Sequence, residues 1–208
     1  MPTPHTTPRP LRPASGHQDG FTLLELLVVL GLSGVLAAIA VPMMGNTMAD
    51  FRLSGDARGL HSALSAAKMR AASAFSQSRL FVDLDGGSFH VEILSKGATP
   101  SWVAEGGTTY LSTGVAPGFG DIETPPANTQ NAIGQAPQCV TAAGVAIGNT
   151  ACVVFNSRGI PIDTTGAPTA NAAVYVTDGS AVYGVTVHAG GMIELWKSMA
   201  NAAAWGRL

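Results

Sequence analysis

Charge is scarce in this chain. Only 12% of its 208 residues are Asp, Glu, Lys or Arg, and the formal net charge is −2. A nucleic-acid binder usually shows a basic excess, so bulk charge does not favour that partner, while leaving room for a local patch. Cysteine is scarcer still, with only Cys139 and Cys152. Two cysteines exclude a disulfide-dense scaffold. With no histidine near the pair, they also exclude a four-ligand structural zinc site. His61, His90 and His188 are scattered. His90 and Glu92 share one face of an expected strand, but no cysteine pair of deaminase spacing follows them. No serine sits in a nucleophile-elbow pattern, and no glycine-rich loop matches a phosphate cradle. The expectation is therefore a non-enzyme with no catalytic residue, no cofactor and no metal site.

What the chain does have is a long apolar run. From Leu26 to Ala49 there is no charged residue, a stretch of roughly 24 positions where a bilayer-crossing helix needs about 20. A secretory signal peptide would have a shorter core and a small-x-small cleavage site after it, and no such site stands out. Glu25 lies just inside the apolar segment. A carboxylate there costs about 2.5–3.5 kcal/mol on insertion scales, so it marks function by default. A plain membrane anchor would explain the length but not that acid. Upstream, Pro2, Pro4, Pro8, Pro10 and Pro13 block helix and sheet. Arg9 and Arg12 favour a cytoplasmic N-terminus, which puts the rest of the chain outside the cytoplasm.

Gly20-Phe21-Thr22-Leu23-Leu24-Glu25, followed by that run, resembles the class III signal of type IV prepilins and type II secretion pseudopilins. The resemblance implies cleavage by prepilin peptidase between Gly20 and Phe21, then N-methylation of Phe21, which keeps the amine positive. It implies that Glu25 serves assembly by pairing with the amino terminus of a neighbouring subunit. The implied partners are other pilins or pseudopilins, the peptidase, the membrane and an inner-membrane assembly platform. The implied location is the inner membrane, single-pass, with a periplasmic globular domain.

The chain divides into a leader at 1–20, a transmembrane part of the N-terminal helix at 21–44, an amphipathic continuation at 45–78 and an exported β-rich domain at 79–208. A kink or local unwinding is expected at Pro42 and Gly45. Beyond them Met48, Phe51, Gly55, Leu60, Leu64, Ala67, Ala71 and Phe75 form an approximate apolar stripe. The helix is expected to end near 76–78. Leu80–Leu84 and Phe89–Leu94 flank Asp85-Gly86-Gly87-Ser88 as a hairpin. Asp83 and Asp85 suggest calcium, but the further oxygen ligands of an EF-hand loop are missing. Residues 97–150 read as a variable loop with one strand near Tyr110–Val115. Strands resume at Cys152–Phe155, Val174–Val176, Val182–Val187 and Met192–Trp196, giving one C-terminal antiparallel sheet with the helix over one face. The expected class is α+β, pilin-like.

Cys139 and Cys152 both lie in the exported part, where a disulfide is plausible, worth about 3 kcal/mol for so short a loop. Two unrelated buried thiols are the alternative. Ala67–Ala72, Val154–Pro161 and His188–Ile193 resemble the helix end, the strand and turn, and the closing hairpin of the GspH/FimT group of minor pseudopilins and pilins. That resemblance implies a structural subunit that starts, caps or joins a secretion pseudopilus. A DNA-uptake receptor on a type IV pilus is the alternative. Members that bind DNA carry Gly-Arg-x-Arg near this hairpin, whereas this chain has Gly191-Met192-Ile193-Glu194. Arg207 follows Gly206 at the end of the sequence, and Trp196 and Trp205 are able to stack bases or to pack.

Overall fold

The computed structural model describes residues 20–170, 172–200 and 202–208. Apart from Gly20, the expected leader lies outside the described residues. The elements are α1 (Leu23–Ser73), β1 (Ser78–Asp83), β2 (Ser88–Leu94), β3 (Trp102–Tyr110), β4 (Ala116–Pro117), β5 (Thr150–Phe155), β6 (Pro161–Ile162), β7 (Ala172–Thr177), β8 (Ala181–Val187), β9 (Ile193–Met199) and β10 (Ala202–Arg207). Pro42 and Gly45 both stay within the span of α1, so the helix does not unwind there. Internal contacts separate the chain between Met44 and Gly45, and each part is described by itself.

In the first part, Thr22 caps α1. The Glu25 amide donates to Thr22 Oγ1 at 3.1 Å, and the Leu26 amide donates to the Thr22 carbonyl at 3.2 Å. A hydroxyl at this position satisfies a helix donor that would otherwise lack a partner. Leu23–Ala40 is long and apolar enough to cross a membrane, and none of it is buried.

In the second part, Leu53, Ala57, Leu60, Leu64, Ala67 and Ala71 of α1 are fully buried. They alternate steps of four and three, which keeps one stripe against a facing surface. The first half of the stripe differs from the expectation, because Met48 and Phe51 are exposed and Gly55 faces solvent. The helix also stops earlier than expected, at Ser73. Phe75 takes a left-handed φ of 50°. The Ser76 amide reaches the Ala71 carbonyl while the Phe75 amide reaches that of Ala72. This is a Schellman end, and it leaves Phe75 exposed rather than on the stripe.

Two five-stranded antiparallel sheets form where one was expected, ordered β3-β2-β1-β5-β6 and β10-β9-β8-β7-β4. Leu80, Val82, Phe89, Val153 and Phe155 of the first sheet and Val174, Val176, Val185 and Val187 of the second share one apolar core with the helix stripe. The class is therefore α+β, a long N-terminal helix whose C-terminal stretch packs on antiparallel sheets. Strand β3 begins well before the expected strand near Tyr110. The sequence hides it behind Gly106-Gly107, and Gly106 (φ 79°) lies where the register with β2 shifts, as in a glycine-based β-bulge.

Much of 97–150 is packed rather than free. Phe119, Ile122 and Ile133 join Trp205 of β10 over Ala173, Tyr175 and Val182 on the outer face of the second sheet. Tyr175 pairs across the ladder with Gly184, and its Cε1 lies 2.6 Å from where a β-carbon on Gly184 would stand. The Tyr175 hydroxyl donates to Gln130 Oε1 at 2.8 Å, and burial holds its pKa well above the ordinary phenol range.

Candidate functional site

The residues expected to serve processing and assembly lie at the start of α1. Gly20 and Phe21 precede the helix. Phe21 is 80% exposed, and a β-carbon on Gly20 would meet no atom within 4 Å. Glu25 occupies the first turn. A carboxylate there complements the helix dipole, and with Thr22 three residues earlier it satisfies the capping-box pattern.

The segments that carry the GspH/FimT resemblance meet in space. Lys68 of α1 donates to the Gly191 carbonyl at 2.8 Å, and its methylene stem runs across Gly159. Asn156 builds the intervening turn, its Oδ1 accepting from the Arg158 amide at 2.9 Å and the Ile160 amide at 3.1 Å. Gly159 and Gly191 both have positive φ, 73° and 78°. The Gly159 carbonyl oxygen fills the space a β-carbon on Gly191 would need. The motif residues therefore form a backbone junction between helix, turn and closing hairpin, with no catalytic group in it.

Cys139 and Cys152 are joined, with Cα atoms 4.9 Å apart. Both are buried. The Cys152 amide donates to the Pro137 carbonyl at 2.8 Å, and the Cys139 amide to Thr150 Oγ1 at 3.1 Å. The bridge ties 137–140 to β5. Arg79, which the sequence does not single out, completes this attachment. It is 2% exposed, donates to the Val140 carbonyl at 2.6 Å and to Glu92, and stacks on Trp102 at 4.1 Å. Burial pushes its pKa down, and Glu92 opposes that. Only its period-two place on β1, opposite Glu92, could have flagged it. His90 stacks on Phe81 at 5.0 Å and lies 3.3 Å from Glu92, so the His90–Glu92 pair belongs to this packed face.

The remaining candidates have structural partners. Asp83 Oδ1 accepts from the Asp85 and Gly86 amides, and Asp85 takes the Asn149 side chain at 2.6 Å. Among the described residues, no group of three or more His, Cys, Asp and Glu side chains could hold a metal ion. Trp196 donates to Thr186 Oγ1 and Trp205 to the Thr124 carbonyl, so both indoles pack. Arg207 pairs with Glu194 at 2.8 Å, and His188 contacts the same carboxylate at 2.8 Å.

A family model described as the prokaryotic N-terminal methylation motif matches residues 16–41. Two proteins named type IV major fimbrial protein FimA, from Dichelobacter nodosus, are 49% identical over 37 residues, 18% of this chain. The aligned stretch spans only 24% of each of those proteins. Among solved structures, the minor pseudopilin EpsH from the type 2 secretion system of Vibrio cholerae aligns with a TM-score of 0.36 at 15% identity, covering 69% of this chain and 95% of that one. The chain thus carries a class III N-methylation motif ahead of an apolar helix.

Proposed function

We propose that this chain is a minor pseudopilin of the GspH/FimT type, a structural subunit that starts, caps or joins the pseudopilus of a type II secretion system. The observation that carries the reading is the start of α1, where Gly20-Phe21 lies outside the helix, Glu25 in its first turn, and a fully exposed apolar stretch follows to Ala40. Such a surface needs lipid or other apolar helices around it. The disulfide supports export of the globular domain to an oxidising compartment. The chain is a structural subunit rather than an enzyme. Prepilin peptidase removes 1–20, Phe21 is methylated, and the subunit waits in the inner membrane for the assembly platform. No observation favours a DNA-uptake role, since Arg207 is committed to Glu194 and both C-terminal tryptophans are packed.

The test is to produce the full chain with an active prepilin peptidase and determine its N-terminus by mass spectrometry. A product beginning at N-methylated Phe21 that co-purifies with secretion pseudopilins is expected. An intact leader would refute the processing, and co-purification with pilus subunits alone would move the protein to a type IV pilus.

A further inference from the structure

Two adjoining concavities of about 510 Å³ each run along α1 from Arg58 to Ala72, between the helix and the closing hairpin. That span is ~21 Å at 1.5 Å per residue. Its floor is apolar, with Met69 65% and Met192 54% exposed beside Ile193. Its rim is basic. Arg58, Lys68, Arg158 and Arg207 line it, four of the 11 lysines and arginines in a chain of net charge −2. Glu194 is the acid in the lining, and both its oxygens are engaged, one by Arg207 and one by His188. Lys68 is committed to Gly191. Among the described residues, the side chains of Arg58 and Arg158 have no hydrogen bond or ion pair.

We infer that this groove receives an acidic, amphipathic helix of a neighbouring filament subunit, its apolar stripe on Met69, Met192 and Ile193 and its carboxylates at Arg58 and Arg158. The charge of the rim selects acids, and the methionines make an adaptable apolar contact. β9, which borders the groove, is already paired on both sides by β8 and β10, so it offers no edge to an added strand. A groove flanked by a helix and the paired strand β9 suits side-chain contacts from a helix. Nucleic acid is disfavoured by the apolar floor, whose lining holds no Phe, Tyr or Trp for a base to stack on.

This inference rests on the filament-subunit reading, and the two are separable by one experiment. The full chain, with a photoreactive phenylalanine analogue at Met192 or, as a control, at Val103, is produced together with the pilin and pseudopilin subunits of its own organism. Co-assembly is scored by co-purification and contact by the mapped crosslink. The expected result is a crosslink from position 192, not 103, to an acid-flanked helix of another subunit. Arg58→Glu with Arg158→Glu should lower its yield roughly tenfold. Raising salt to about 1 M, where the screening length is ~3 Å, should weaken the contact in the unsubstituted chain, which covers the case that the double variant misfolds. Normal co-assembly without that crosslink, or a crosslink indifferent to charge and salt, overturns the groove assignment alone. Absent co-assembly overturns both readings. Retention on duplex DNA that depends on Arg58 and Arg158, without the crosslink, gives the groove to nucleic acid and overturns the inference.

Discussion

The carbonyl oxygen of Gly159 sits where a β-carbon on Gly191 would have to be, so the turn after β5 and the hairpin before β9 touch backbone to backbone. The contact matters because Lys68 of α1 reaches the same glycine. Helix, first sheet and second sheet are locked together at this point.

Gly191→Ala should therefore cost about 2–4 kcal/mol, combining an over-packed contact with a side chain forced to positive φ. Thermal unfolding of the globular part would show it. Gly190→Ala is the control, since a β-carbon there meets nothing within 4 Å. Equal effects of the two substitutions would refute the close-approach argument.

A second expectation concerns acid. The hydrogen bond with His188 holds the Glu194 carboxyl below the usual range, against the effect of burial and with help from Arg207. Because its folded pKa is depressed, Glu194 stabilises the fold above its unfolded value of about 4.5. That contribution is lost as pH falls through the folded value. The melting temperature should drop as pH falls below this range, and Glu194→Gln should flatten the drop while lowering stability at pH 7. Asp163, depressed by its bond with the Thr165 hydroxyl, adds a slope of the same sign that survives in the variant. An unchanged pH profile in Glu194→Gln would remove Glu194 from the acid response.

How far the sequence reveals this molecule depends on whether a signal is local. The start of α1 is legible because its residues are contiguous and the apolar run is unbroken. Leu60, Leu64, Ala67 and Ala71 are legible as a stripe, whereas Leu53 and Ala57 hide behind the larger Phe51 and Met48, which face outward. Size alone does not tell which face of a helix is covered. Strand β10, with its run of alanines, and β3, with its paired glycines, lack the β-branched residues that announce a strand. Phe119, Ile122 and Ile133 are separated by turns, so their shared role over Tyr175 exists only in three dimensions. Arg79 reads as an ordinary surface cation until Trp102, Glu92 and Val140 close around it.

The disulfide yields a third expectation. Both cysteines are buried, so mild reductant should leave the bond intact until the domain unfolds. Replacing both by alanine should cost about 2–4 kcal/mol and expose the segment from Thr141 to Ile147 to protease first. Arg79, through Val140, and the backbone bonds at Pro137, Cys139 and Ile147 then hold that segment without a covalent tie. Non-reducing peptide mapping should recover Cys139 linked to Cys152. Stoichiometric thiol labelling of the native protein without reductant would refute the bridge.

Glu25 has two available roles, and one substitution separates them. As the third residue of a helix capped by Thr22, its side chain is placed to complete a capping box, a task that glutamine performs as well as glutamate. As a charged group in lipid, it is costly unless it meets a cation, and the methylated amine at Phe21 of an adjoining subunit would supply one. Glu25→Gln keeps the cap and removes the charge, whereas Glu25→Leu removes both. Neither substitution alters Gly20 or Phe21, so the proposed cleavage and the protease resistance of the globular part should be normal in both variants. If the charge matters, both should lose incorporation into the filament to a similar degree, read by crosslinking to partner subunits at matched expression. If the cap matters, the glutamine variant should assemble like the unsubstituted chain and only the leucine variant should fail. The assembly reading expects the first pattern. The second would confine Glu25 to its own helix.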